Sequence, residues 1–133
     1  MTTPETIQFV EAVLALPLMI LGLSHLVQPR MWVDFFTGLA AQGHKGGLWR
    51  SMAGELWPAA LIVAFHQDWT WPGVLITAYG HLLMAKVAIS LLYPPLGLRS
   101  LEQADRAGRG GFVLAGLILI GLGAVCGYRA FFP

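Results

Sequence analysis

The chain has 133 residues, 56% of them hydrophobic and only 11% charged, against about 25% charged in an ordinary soluble domain. Eight Lys and Arg oppose seven Asp and Glu for a net charge of +1, with no block of like charge to hold nucleic acid, so nucleic-acid binding is set aside. One membrane span takes about 20 apolar residues as helix, so residues 1–133 read as a single integral membrane domain: an all-α, four-transmembrane-helix bundle, with a short interfacial helix between spans one and two and no room for a separate soluble domain.

The first predicted span is Ile7–Val27. Its N-terminal flank has no Lys or Arg, and Glu5 and Glu11 stand where a signal peptide would be basic, so the segment is expected to be retained. Residues 29–42 are too polar to span, yet Met31, Trp32, Val33, Phe35, Phe36 and Leu39 are too apolar for water. An interfacial helix opened by Pro29 fits, with Asp34 and Gln42 on its wet side and Gly43–Gly47 closing it as a flexible turn. Span two, Leu48–Phe65, carries Arg50 and Glu55, and a re-entrant or tilted segment is its alternative.

Span three, Trp71–Leu92, follows the short His66–Thr70 turn and ends at Pro94-Pro95. Gly97–Gly111 reads as the one hydrophilic loop, with Arg99, Glu102, Asp105, Arg106 and Arg109 forming a solvated face. Span four is Phe112–Phe131, and Gly110–Tyr128 is the only full-length stretch free of both charge and histidine. The single cysteine, Cys126, lies there, which excludes an intrachain disulfide or a Cys-x-x-Cys pair and reads as a small buried residue.

Basic residues near span ends stay in the cytoplasm. Arg30, Lys45 and Arg50 flank the first connection and Arg99, Arg106 and Arg109 the third, whereas the opposite side has only Arg129. The expectation is a multi-pass protein of the cell inner (plasma) membrane with both termini outside the cytoplasm. Trp69 and Trp71 then belong at the outer interface, and Trp32, Trp49 and Tyr93 at the inner one.

An ionisable side chain near the centre of a span costs at least about 2.5–3.5 kcal/mol, so each one needs a partner, a cavity or a function. Glu55 lies seven positions from the inner end of span two, and Lys86 six from the inner end of span three. Both therefore fall about 9–10 Å inside, which predicts a Glu55–Lys86 ion pair. That pair either fixes the register of two helices or binds a proton, a cation or a small ligand in a cavity open to the cytoplasm.

His25, near the inner end of span one, is a candidate third member and proton relay, or an interface residue. Glu11, Leu18 and His25 share a stripe of span one at sevenfold spacing, so that face should point into the bundle. Glu11, a proton or ion candidate, lies only about 6 Å from the outer end and is expected to snorkel to water. His81 is the deepest, close to the midplane, and joins the ligand-binding candidates. No second histidine matches its depth for a bis-histidine haem, and no metal-ligand spacing surrounds it, so no cofactor or metal is expected. Gly116, Gly123 and Gly127 place small residues on one stripe of span four, serving either packing within the bundle or a homo-oligomer contact.

Glu11 in span one and the Gly116…Gly123 repeat in the last span superficially resemble the small multidrug resistance transporters. In that family the first-span carboxylate is central and binds protons and cationic substrates. Here Glu11 is near an end and the Gln28–Gly47 insertion departs from the pattern, so that mechanism is not carried over. The stretch Gln28–Phe36 and the run His66-Gln67-Asp68-Trp69 look more like uncharacterised small bacterial four-helix integral membrane proteins, a resemblance that supplies no chemistry.

The expected function is binding of a small polar ligand, ion or lipid headgroup at an intramembrane cluster of Glu55, Lys86, His25 and His81, with the lipid bilayer as partner and a homo-oligomer as one assembly. The alternatives are a non-catalytic accessory or scaffold subunit and a proton-coupled small-molecule transporter using Glu55 or Glu11. An enzyme is disfavoured, because no nucleophile with an adjacent base, phosphate-cradling loop or metal constellation is present, and no catalytic residue is assigned.

Overall fold

Proline and threonine set where the first helix begins. In the computed structural model, which describes residues 2–133, Thr3 caps α1 (Pro4–Val27) by accepting the Thr6 backbone N–H at 3.2 Å, with Pro4 in the first turn. Proline also opens α2 (Pro29–Ala41) and α6 (Pro94–Phe131), where its missing N–H costs nothing. Between them lie α3 (His44–Arg50), a π-helical turn at Ser51–Glu55, α4 (Leu56–Phe65) and α5 (Val74–Leu92). All regular structure among the described residues is helical.

Among the described residues, α1, α5 and α6 are long and apolar enough to cross a membrane. At 24 residues, α1 is about 36 Å long, enough for a hydrocarbon core of about 30 Å. The segment expected as span two is helical over its whole course, but it is divided into α3, the π-turn and the ten-residue α4. The outward surface is apolar, with Leu16, Ile20, Leu82 and Leu92 exposed, Leu92 to 85%. Soluble monomers rarely leave so much apolar side chain in water.

Two expected irregular segments are helical. Residues 97–107, expected as a hydrophilic loop, form the first arm of α6, and the chain breaks helical geometry only at Gly108 (φ 65°, ψ −154°). Leu98, Leu101, Glu102, Gln103 and Ala104 are good helix formers, and burial of Leu101 and Gly97 gives that arm an inner face. The Gly43–Gly47 turn is likewise shorter than expected, since α3 begins at His44.

The most extensive packing is between α1 and α6. A Cβ on Gly116 would lie 2.7 Å from the Gly22 carbonyl oxygen and one on Gly123 2.9 Å from Met19 Cγ, so these two glycines let the backbones approach. Gly127 is looser, 3.8 Å from Ala15 Cβ. Beside that contact, Val10, Leu14 and Leu18, spaced four apart on one face of α1, pack with Ile62, Ile76 and Cys126 as the core.

Gly116→Ala should therefore lower stability by about 1–3 kcal/mol through overpacking. Gly121→Ala, whose Cβ meets nothing within 4 Å, should hold or gain up to about 1 kcal/mol from helix propensity. Thermal melts of the two variants beside the parent in one detergent check this.

Candidate functional site: an apolar cavity with a charged wall

Two groups of ionisable side chains occupy opposite ends of the helix bundle. The first, at the end where the chain starts and finishes, centres on Glu11, only 1% exposed. Its Oε1 accepts from Arg129 Nε at 2.7 Å and lies 2.9 Å from His66 Nε2. His66, fully buried, closes α4, and its Nδ1 lies 2.9 Å from Thr77 Oγ1 on α5. Arg129 also donates from Nη2 to Asp68 Oδ2 at 2.6 Å.

The expectation that Glu11 snorkels to water is thus overturned: partners from α4 and α6 reach it inside the bundle. Asp68, in the α4–α5 connection, holds a pKa below the ordinary value of 3.8: burial alone would raise it, but hydrogen bonds from the Thr70 hydroxyl and backbone N–H and the Arg129 guanidinium outweigh burial. These four ionisable side chains all have partners, so the group ties helices together through its own side chains.

The second group lines a cavity of about 760 Å³ between α2, the π-turn, α5 and both arms of α6. Lys86 Nζ donates to Glu55 Oε2 at 2.6 Å, and Arg50 Nε lies 3.3 Å from Glu55 Oε1. Arg50 and Glu55 are five residues apart, about 140° around an α-helix. The intervening π-turn, in which the Leu56 N–H bonds to Ser51 O, accompanies their approach to ion-pair distance. Arg50 also makes long contacts, 3.4 Å each, from Nη2 to Gly97 O and Ser100 Oγ of α6.

Among the described residues, Arg50 Nε, Glu55 Oε1 and Ser51 Oγ are the buried side-chain polar atoms without a hydrogen-bond partner in the chain. The first two belong to residues that line the cavity. Their 3.3 Å contact is close enough for ion pairing, but it is not aligned as a hydrogen bond. Buried groups left in this condition are uncommon and mark either strain or a place for another polar group.

The remaining cavity wall is mainly apolar. His25 Nδ1 lies 2.7 Å from the Leu21 carbonyl, and its ring stacks on Trp32 at 4.2 Å, with Trp32 Nε1 donating to Ser24 Oγ. Phe36 meets Phe112 edge-on at 4.9 Å. His25 therefore shares the cavity with Glu55 and Lys86 as part of an aromatic wall, without bonding to them.

His81 does not line this cavity. Its Nδ1 lies 2.8 Å from Thr77 O and its ring lies 5.2 Å from Trp69, toward the terminal end. Gly116 and Gly123 face α1 within the same chain. Arg50, His66, Asp68 and Arg129 were not among the residues singled out for a site from sequence. The charge of Arg50 inside span two was a signal for the first of them.

Compared with protein-family models, curated proteins and solved structures, the chain has no match.

Removing the Glu11 carboxylate leaves Arg129 with Asp68 alone and His66 Nε2 without a partner, so Glu11→Leu should destabilise, by at most the roughly 3–5 kcal/mol of a fully broken buried ion pair. Glu11→Gln, which keeps an acceptor oxygen, should cost less, and chemical or thermal unfolding in detergent compares them.

A carboxylate with a depressed pKa in the fold contributes stability above its unfolded pKa and loses it as pH falls through the folded one. Stability should accordingly fall as the medium is taken below about pH 3.8, and Asp68→Asn should remove part of that acid-side dependence. Melting temperature against pH is the readout.

Proposed function

We propose that this chain is a four-span integral membrane protein that binds a small amphiphilic ligand inside the bilayer, in the cavity walled by Glu55, Lys86 and Arg50. Span two is the helical run of α3, the π-turn and α4, with Arg50 and Glu55 at the ends of the π-turn stretch lining the cavity. Arg30, Lys45, Arg99, Arg106 and Arg109 lie near the cavity end and favour the cytoplasmic side of the inner membrane for it. Arg129, the basic residue at the other end, is held by Glu11 and Asp68. Exposed Trp69 and Trp71 suit the outer interface and exposed Trp49 the inner one.

The observation that carries the binding reading is the contrast between the two charged groups. The terminal group is satisfied by its own side chains and backs onto the packed core. The other borders about 760 Å³ of mainly apolar space while buried Arg50 Nε and Glu55 Oε1 go without hydrogen bonds. That volume falls within the roughly 300–1,000 Å³ typical of small-molecule sites, which pair apolar walls with a few polar groups. A scaffold would gain more from an apolar cavity filling than from a half-satisfied charged wall.

Native mass spectrometry of protein released from lipid nanodiscs tests the reading. A retained small amphiphile is expected on the parent, and it should be lost from Ala115→Trp, which fills the cavity from α6. Equal retention by parent and variant would overturn the proposal.

The scaffold alternative makes a separate prediction. If Glu55, Lys86 and Arg50 serve only helix register, replacing all three by leucine should preserve stability better than replacing Glu55 alone, because the single variant leaves Arg50 and Lys86 without their shared counter-ion. If they serve a ligand, the triple variant should fold but lose the retained mass.

A further inference from the structure

The charges on the cavity wall do not balance. Arg50, Glu55 and Lys86 are the Asp, Glu, Lys or Arg side chains among the residues lining it, two basic and one acidic. Glu55 takes both partners, Lys86 on Oε2 and Arg50 on Oε1, so one carboxylate is shared between two cations. Neighbouring Glu102 and Asp105 do not line the cavity, and Asp105 accepts from Thr37 Oγ1 at 2.7 Å.

Donors outnumber acceptors as well, even with Glu55 Oε1 counted as an acceptor without a hydrogen bond. A guanidinium carries five N–H bonds and an ammonium three, all donating and none accepting. Arg50 spends Nη2 on two long contacts and leaves Nε without a hydrogen bond, while Lys86 spends one proton on Glu55. Lys86 is still 42% exposed. Ser100 and Tyr79 add hydroxyl groups to the same lining.

From this we infer that the ligand is a singly charged anionic amphiphile: a carboxylate or phosphodiester head held at Arg50 and Lys86, with a hydrocarbon body against the aromatic wall of Trp32, Phe36 and Phe112. The inference rests on the binding reading above and narrows it to one charge class. An anion brings the cavity to neutrality and supplies acceptors for the spare donors. A cationic head would stand beside two like charges in a medium that screens them poorly, and a neutral head would leave the excess charge in place. Small side chains at Ala53, Gly54, Ala104 and Ala115 leave the lateral room for the hydrocarbon body.

The test uses the full chain in nanodiscs of zwitterionic lipid and three probes with one hydrocarbon chain: oleate at a pH that ionises it, oleyl alcohol, and oleyl trimethylammonium. Binding is read by native mass spectrometry and by the shift in melting temperature. Oleate should bind at least about tenfold more tightly than either other probe. Lys86→Gln, at a partly exposed position that tolerates a neutral side chain, should shrink that preference to about twofold or less.

Phosphatidylglycerol added in competition distinguishes the source of the anion. Displacement of oleate assigns the site to an anionic phospholipid, and failure to displace it assigns the site to a free acid. Equal binding of oleate and oleyl alcohol, both displaced in Ala115→Trp, would overturn the charge inference and leave the cavity reading intact. Binding of every probe unchanged in Ala115→Trp would overturn both.

Discussion

A carboxylate placed out of water must recover several kilocalories per mole of lost hydration from its neighbours, and much of this bundle is organised around doing so for Glu11. The residue lies one position after Val10 of the core, on the helix that also carries Leu14 and Leu18. Its partners come from two other places in the chain: Arg129 near the end of α6 and His66 at the close of α4. Thr77 then links His66 to α5, and Asp68 links Arg129 to the α4–α5 connection. Each helix that meets there is held at a defined depth relative to the others, because sliding any one by a turn would leave a buried polar group without its mate.

The close α1–α6 contact depends on the same constraint. Small residues at Gly22, Gly116 and Gly123 permit the approach, but dispersion between smooth faces does little to choose among neighbouring registers. The Gln8 side-chain amide donating to the Ala130 carbonyl at 2.7 Å, beside the Arg129–Glu11 pair, fixes one. With the terminal end fastened in this way, the opposite end can remain open. There α2 and the first arm of α6 help to wall the cavity.

Hydropathy made the three long helices legible, and a count of residues from the span ends brought Glu55 and Lys86 to one depth, where they stand 2.6 Å apart. Arg50 was hidden from the same arithmetic because its relation to Glu55 depends on a π-turn, and a pattern read at 3.6 residues per turn places the two on different faces. His66 and Asp68 were hidden for another reason: they belong to a short connection, where periodicity says nothing about direction. The first arm of α6 was obscured by its charge, since Arg99, Glu102, Asp105 and Arg106 suggest water while Leu98, Leu101 and Ala104 between them have helical spacing. Glu11 was located in the sequence, but its burial was not legible, because it depends on an arginine 118 residues away.

The break at Gly108 divides α6 into two arms, and both contribute to the cavity wall: Ser100, Ala104 and Ala107 from the first, Gly111, Phe112, Ala115 and Leu119 from the second. The second arm meets α1 at Gly116, Gly123 and Ala130, whereas the first meets α2 through Thr37–Asp105 and α3 through Arg50 and Gly47 at Gly97. The angle between them passes through a residue whose φ of 65° suits an unsubstituted backbone. The setting of these two parts of the wall against each other therefore passes through one peptide corner. A chain of this size has few independent moving parts, and here the corner that shapes the cavity lies outside the polar tie that holds the opposite end together.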